Sequence, residues 1–159
     1  MNDKDTITIR PAEPADRTFI LGLAERFVAF ELPAWRSHDE TAAGVYRDIE
    51  RHLREHPETS HFFVAETADG TRAGFLHLQS TIDFFTGAPN CHVSDVAVAE
   101  GFDGRGIGSR LLAFAERFAE ERGCRFLTLS VFPGNERARA LYERHGYGVE
   151  ILRMAKPVG

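Results

Sequence analysis

The segment Asp103-Gly104-Arg105-Gly106-Ile107-Gly108-Ser109-Arg110 is the most informative stretch of this 159-residue chain. Its alternating glycines separate a predicted strand that ends at Val98 from a predicted helix that begins near Ile107. Glycine lets the backbone turn sharply and approach a ligand closely. The first N–H groups of a helix have no partner within the helix, and the helix dipole favours negative charge beside them. The segment therefore predicts a cradle for a phosphate or diphosphate group.

Two common classes of phosphate-binding loop do not fit this segment. A P-loop needs Lys followed by Ser or Thr after its last glycine, whereas Ser109-Arg110 stands here. A dinucleotide fold needs a third glycine where Ser109 stands, and an acidic residue at the end of the next strand, where residues 129–131 offer none. Taken alone, the alternating glycines are equally typical of a tight turn that binds no ligand.

Apolar periodicity and turn residues predict a mixed α/β domain over residues 6–157. A hairpin at Asp69-Gly70 opens an antiparallel meander, which leads into a β-loop-α-β unit whose two strands should be parallel. Residues 124–132 are apolar on both faces, so we expect a buried central strand there. We predict strands at 6–10, 61–67, 72–80, 91–98, 124–132 and 147–155, and flanking helices at 16–30, 41–55, 107–122 and 135–145.

Composition excludes several classes of partner. The formal net charge of −5 disfavours nucleic acid as the main ligand. The polar N-terminus lacks the apolar segment of a signal peptide, and no apolar run reaches membrane-spanning length. Cys91 and Cys124 form no CxxC pair, and no His cluster has metal-ligand spacing, so we expect reduced thiols and no metal. These features indicate a cytoplasmic protein without a nucleic-acid or membrane partner.

Further motifs accompany the glycine loop in a fixed order. The strand Val93–Val98 precedes it, and Asn135, Ala138, Tyr142 and Gly146-Tyr147 follow it. The order strand, Q/R-x-x-G-x-G/A, helix, strand, N-x-x-A-x-x-x-Y-x-x-x-G-[FY] resembles the GNAT superfamily of N-acetyltransferases over residues 93–147. The region is also locally similar to diamine acetyltransferases, although Ser94 stands where those carry the first residue of an acidic pair.

The resemblance implies a GNAT-like fold, acetyl-CoA as donor and a set of donor-binding residues. The amides of the glycine loop would bind the diphosphate, and the end of the preceding strand would pair with the pantetheine arm. Asp103 departs from the pattern, which prefers Gln or Arg there, and we expect Arg105 and Arg110 to offset its charge. The implied donor-binding residues are Val96, Ala97, Val98, Asp103, Gly104, Arg105, Gly106, Ile107, Gly108, Ser109, Asn135 and Tyr142.

The implied reaction is direct transfer of an acetyl group to the primary amine of a small molecule, such as a polyamine or amino acid. We expect Tyr142 to act as general acid, because a phenol pKa of about 10 suits protonation of a leaving thiolate. The N–H of Val96 would polarise the thioester carbonyl. Asp95 is the candidate base, although a structural pairing with an arginine is an equal alternative. Weaker candidates for the base are Asp83, Glu66, Glu31 and His77.

Three points stay open at this level. The segments 31–40 and 82–90, with Trp35, Phe84 and Phe85, are candidates for the acceptor wall. An acyl-CoA sensor without turnover and a nucleotide-binding regulator are the alternatives to an enzyme. A homodimer is a further candidate, because the resemblance implies pairing through terminal strands.

Overall fold

Five strands form one sheet in a computed structural model, which describes residues 6–159 apart from the side chain of Glu25. The sheet order is β1-β2-β3-β4-β5. Neighbours from β1 to β4 are antiparallel, and β4 and β5 are parallel. This confirms the predicted meander and parallel unit. The strands are β1 (Ile7–Pro11), β2 (Ser60–Thr67), β3 (Arg72–Ile82), β4 (Pro89–Val98) and β5 (Leu127–Leu129).

Helices cover both faces of the sheet. On one face, α3 packs Leu111 against Leu76; on the other, α2 places Ile49 with Phe75 and Ala97. Successive strand residues point to opposite faces, so β3 and β4 supply both layers. None of the helices in residues 6–159 combines the length and apolarity needed to cross a membrane. The helices are α1 (Arg17–Gly22), α2 (His38–Glu55), α3 (Ile107–Glu121) and α4 (Glu136–Arg144), with 3-10 turns at Pro14–Asp16 and Ala24–Val28.

A bulge in β4 decides the shape of the sheet. Asp95 lies opposite His77, but Val93 lies opposite Leu78, so Ser94 is an extra residue in the strand. Bulges bend a strand and increase its local twist. The pairing of β4 with β5 ends at Val93, directly before the bulge. Beyond Ser94, β4 has no described strand on its β5 side.

The predicted first helix is wrong in length. It is divided into α1, which ends at Gly22, and a 3-10 turn at Ala24–Val28. Asp16 makes no side-chain cap at its start. Its fully buried carboxylate instead accepts hydrogen bonds from Arg10 at 2.7 Å and Arg72 at 2.7 Å. Two arginines from the sheet thus outcompete the helix amides for this carboxylate.

The predicted strand at 147–155 is also wrong. Residues 148–159 have no regular secondary structure, and all of them are exposed, with Val149 at 77% and Met154 at 90%. Without a strand beyond it, β5 is a three-residue, half-buried edge strand and not the expected buried central strand. An apolar run predicts a strand but does not reveal which chain or edge it pairs with.

Candidate active site

The edge of β4 beyond the bulge offers unpaired backbone groups. The N–H of Ala99 donates to the carbonyl of Ala73 at 2.8 Å. Because hydrogen-bonded pairs alternate along an antiparallel ladder, Ala97 also faces β3, whereas the N–H and C=O of Val96 and Val98 face away from it. No described strand pairs with these groups. They lie where β4 continues beyond its last pairing with β5, a region called here the β4–β5 cleft.

The N-terminus of α3 is an open site for an anion. Gly104 and Gly106 have left-handed φ angles of 76° and 74°, and a Cβ at either position would meet nothing within 4 Å. Gly106 provides no side-chain cap, and the amide of Arg110 donates to its carbonyl at 3.1 Å. The N–H groups of residues 107–109 therefore precede the first helical bond and point towards solvent at the positive end of the helix dipole. This arrangement fits the diphosphate predicted from the sequence.

The acidic residue in the glycine loop is neutralised by its surroundings. Asp103 accepts hydrogen bonds from Arg26 at 2.9 Å and Arg137 at 3.3 Å. Arg105 lies over the ring of Phe102, with its guanidinium carbon 5.2 Å from the ring centroid. The partners of Asp103 are thus Arg26 and Arg137, not the predicted Arg105 and Arg110. Sequence reasoning did not name them, because both are far from the loop along the chain. Because Asp103 is paired with two arginines, its negative charge does not oppose the binding of a diphosphate to the loop.

Helix α4 carries Tyr142, the predicted general acid. The side-chain oxygen of Asn135 caps the helix by accepting from the backbone N–H three residues later, at 3.3 Å. Leu141 packs against the start of α3, where a Cβ on Gly108 would lie 3.2 Å from its side chain. Burial, and then the charge of Asp95, raise the pKa of the Tyr142 phenol. Tyr142 is thus near Asp95 and remains protonated at neutral pH.

The partner of Asp95 is a histidine and not the arginine that the sequence offered as the alternative. Its Oδ2 lies 2.8 Å from Nδ1 of His77, which is fully buried, while Asp95 is 9% exposed. Sequence reasoning gave His77 little weight, because an isolated histidine in a strand is usually structural. The register of β3 and β4 places the two residues directly opposite each other. That register depends on the bulge at Ser94, which the sequence did not reveal.

Two loops meet beside the cleft. The rings of Phe30 and Phe132 are 5.9 Å apart, and the backbone of Glu31 lies so close to Gly134 that a side chain at Gly134 would not fit. The segment that begins at Glu31 therefore lies beside the loop that follows β5, and its role as a wall of the acceptor site stays a prediction.

The other predicted part of the acceptor frame lies elsewhere. Phe84 and Phe85, 92% and 69% exposed, occupy the turn before β4. Asp95 lies six residues along β4 from its first residue, Pro89, which corresponds to about 20 Å of extended strand. Phe84 and Phe85 are therefore remote from Asp95 along the sheet. Glu66, another weak candidate for the base, pairs with Arg10 at 3.1 Å between β1 and β2.

The described geometry combines an open strand edge, an anion site, and a phenol whose pKa is influenced by a nearby carboxylate. Comparison with known proteins gives these features a family context: residues 22–147 match the Acetyltransferase (GNAT) family. The chain belongs to the GNAT family. This family uses acetyl-CoA as the acetyl donor, and the chain is accordingly an acetyl-CoA-dependent N-acetyltransferase.

Individual GNAT relatives agree with this assignment. The chain is 28% identical over 141 residues to the uncharacterized N-acetyltransferase YhfO of Bacillus subtilis, covering 89% of each protein. It is 38% identical over 88 residues to streptothricin acetyltransferase of Streptomyces lavendulae, covering 55% of this chain but only 44% of that enzyme.

Solved GNAT structures share the fold. A protein from Pyrococcus furiosus, assigned as an acetyl transferase, superposes with a TM-score of 0.75 at 29% identity, over 96% of this chain and 100% of that one. Aminoglycoside N-acetyltransferase AAC(6')-Iy, solved with CoA, superposes with a TM-score of 0.68 at 22% identity, over 96% of this chain and 95% of that one. At that identity, the second likeness is one of fold alone.

Proposed function

We propose that this GNAT protein transfers an acetyl group from acetyl-CoA directly to the primary amine of a small molecule. The observation that carries the proposal is the unpaired edge of β4 at Val96 and Val98, beside the uncapped start of α3. A pantetheine arm has amides at intervals that can pair with such an edge, while its diphosphate would occupy the helix terminus.

The donor would be held by backbone groups more than by side chains. The amides of Gly104–Ser109 would bind the diphosphate, and Val96–Val98 would pair with the pantetheine arm. The side-chain oxygen of Asn135 caps α4, so in this proposal its contribution to the pantetheine site comes from the remaining amide group. This arrangement would direct the sulfur along β4 towards Tyr142.

The chemistry requires little more than positioning and the transfer of protons. A bound amine and thioester held in contact can gain about 7–11 kcal/mol from proximity in favourable cases. The outward N–H of Val96 would stabilise negative charge on the carbonyl oxygen as the amine attacks. Asp95 would accept the first proton that the ammonium group loses. Tyr142 would protonate the departing thiolate and take back the second nitrogen proton as the amide forms. The balanced products are an amide, free CoA thiol and one proton.

The acceptor class is proposed from the site and from the relatives. A carboxylate at the cleft favours a cationic amine over a neutral or anionic acceptor. Streptothricin and aminoglycosides appear in the names of two similar acetyltransferases. Polyamines and amino acids are therefore tested together with these compounds.

Release of free thiol tests the proposal. The full-length protein is mixed with acetyl-CoA and a panel of polyamines, amino acids, aminoglycosides and streptothricin. Amine-dependent thiol release, with the acetylated amine detected by mass spectrometry, is the expected result. Thermal stabilisation by CoA without turnover on any amine would instead favour the alternative, an acyl-CoA-binding sensor. Stabilisation by ATP or NAD but not CoA would favour a nucleotide-binding regulator.

We also propose that residues 6–157 act as one domain that forms a homodimer through residues 148–159. Leu152 and Met154 in this segment are 78% and 90% exposed, and the outer edge of β5 has no strand partner among the described residues. A segment from a second copy would pair with that edge and bury these side chains. Light scattering should give a dimer mass that the double variant Leu152→Asp/Met154→Asp reduces to a monomer. A wild-type monomer at high concentration would contradict the proposal.

The cytoplasmic location stays a prediction.

A further inference from the structure

A chain of polar side chains, buried at Asp95, His77 and His52 and exposed at Arg51, extends from Asp95 away from the β4–β5 cleft. Nδ1 of His77 lies 2.8 Å from Asp95, and Nε2 of the same ring lies 2.7 Å from the hydroxyl of Ser60. That hydroxyl lies 3.1 Å from Nδ1 of His52 on α2, and Nε2 of His52 lies 3.5 Å from the guanidinium of Arg51. The chain crosses from β4 through β3 and β2 to α2.

The two ends of this chain decide where each proton lies. Arg51 can only donate, and an ionised Asp95 can only accept. A His77 ring with one proton therefore donates from Nδ1 to Asp95 and accepts at Nε2 from the Ser60 hydroxyl, whose oxygen accepts in turn from Nδ1 of His52. Nε2 of His52 then faces both the guanidinium of Arg51 at 3.5 Å and the carboxylate of Asp48 at 3.6 Å, and Arg51 itself donates to that carboxylate at 3.0 Å. Burial and the nearby His77 lower the pKa of His52, in agreement with a neutral ring that donates once and accepts once.

Packing fixes the ring of His77 in this orientation. His77 is fully buried, and it is stacked on Phe62 with a centroid distance of 3.9 Å and an interplanar angle of 7°. His52 meets it edge-on at 4.8 Å. Ionisable groups that contact this chain or influence its charges are Asp48, Arg51 and His52 on α2, His61 on β2, Asp95 and His92 on β4 and Tyr142 on α4.

We propose that His77 is a positioning residue that holds the carboxylate of Asp95 in place to accept a proton from the acceptor amine, with Ser60 and His52 fixing the tautomer of His77. The inference rests on the proposed function, in which Asp95 takes the ammonium proton. A hydrogen bond donated to a carboxylate favours its charged form, which is the form that accepts a proton. Fixing the carboxylate also supports the geometry that direct transfer requires.

Substitutions at His77 test this role. His77→Leu removes the donor, and kcat should fall about 10-fold or more while the Kd for CoA is unchanged. His77→Asn retains an amide N–H near the position of Nδ1 and should recover most of the activity. In the Asp95→Asn background, His77→Leu should cause no further loss, because the two residues act as one unit.

A matched control is available on the opposite face of the same strands. Nε2 of His61 on β2 lies 3.0 Å from the hydroxyl of Ser80 on β3, and its ring packs on Phe118 of α3. His61→Leu removes a similar histidine–serine hydrogen bond and should leave kcat within about two-fold of the wild type. An equal loss in His61→Leu and His77→Leu would reduce His77 to a structural role and overturn the inference.

The tautomer gives a readout that does not depend on turnover. Nitrogen-15 NMR of the wild type should show His77 protonated at Nδ1, and Ser60→Ala should introduce the Nε2-protonated form. Protonation of His77 at Nε2 in the wild type would overturn the inference, even with acetyl transfer intact. An active wild type whose Asp95→Asn variant keeps full kcat would also overturn it and leave the proposed function standing. A wild type that binds CoA but acetylates no amine would overturn both.

Discussion

The backbone of Gly106 provides a sharp test of the anion site. Its φ of 74° is left-handed, and a Cβ at this position would meet no atom within 4 Å. Gly106→Ala therefore introduces backbone strain without a steric clash, at a cost of about 1–2 kcal/mol. If the free loop relaxes to a negative φ, CoA binding must restore the strained form. The Kd for CoA should then rise by about 5- to 30-fold, measured by isothermal titration calorimetry.

Gly87 offers a matched control for this substitution. Its φ is 71°, a Cβ there would also meet nothing within 4 Å, and it lies in the turn before β4. Gly87→Ala should lower the free energy of unfolding by about 1–2 kcal/mol but leave the Kd for CoA unchanged. Wild-type affinity in a folded Gly106→Ala protein, or an equal loss of affinity in both variants, would refute the assignment of the glycine loop to the diphosphate.

Other substitutions test separate parts of the account. Tyr142→Phe should lower kcat about 100-fold with little change in CoA affinity; unchanged turnover would remove Tyr142 from the chemistry. Burial and the charge of Asp95 raise the pKa of the Tyr142 phenol above its ordinary value of about 10. Stopped-flow assays should therefore show an alkaline loss of activity only above about pH 10, and this loss should be absent in Tyr142→Phe. Asp103→Asn should leave the Kd for CoA within about three-fold, since Arg26 already neutralises Asp103; a large gain in affinity would contradict that pairing. Asp16→Asn should lower the free energy of unfolding by about 3 kcal/mol, because it leaves Arg10 without its buried partner. This corresponds to a fall in Tm of about 6–12 °C, and an unchanged Tm would contradict the role of Asp16. The pKa of Asp16 is lowered by Arg10, so the stabilisation is present above about pH 4 and is lost as pH falls further.

Local sequence signals predicted the glycine loop, the helix after it and the meander before it. The loop depends on residue types whose backbone freedom is intrinsic, and the hairpin at Gly70 depends on a short-range turn. The apolar run after α3 correctly predicted a strand, but it did not predict how short that strand is. Its pairing with β4 ends at Val93, directly before the bulge at Ser94, and no short-range pattern revealed the bulge.

The remaining features depend on contacts between distant parts of the chain. Arg26 meets Asp103 across 77 positions, and Asp95 meets His77 across a strand register that the bulge shifts. Residues 147–155 carry the composition of a strand, but a strand also needs an edge with which to pair. Such outcomes depend on competition among partners, which a single sequence does not rank.

The account depends most on diphosphate binding by the backbone amides at the start of α3. Proton–nitrogen NMR of the labelled protein, titrated with CoA and then with pantetheine, tests this directly. We expect the amides of residues 104–109 to shift with CoA and to remain unchanged with pantetheine, which lacks the diphosphate, while Val96 and Val98 shift with both. Tight CoA binding that leaves the amides of residues 104–109 unmoved would contradict the account.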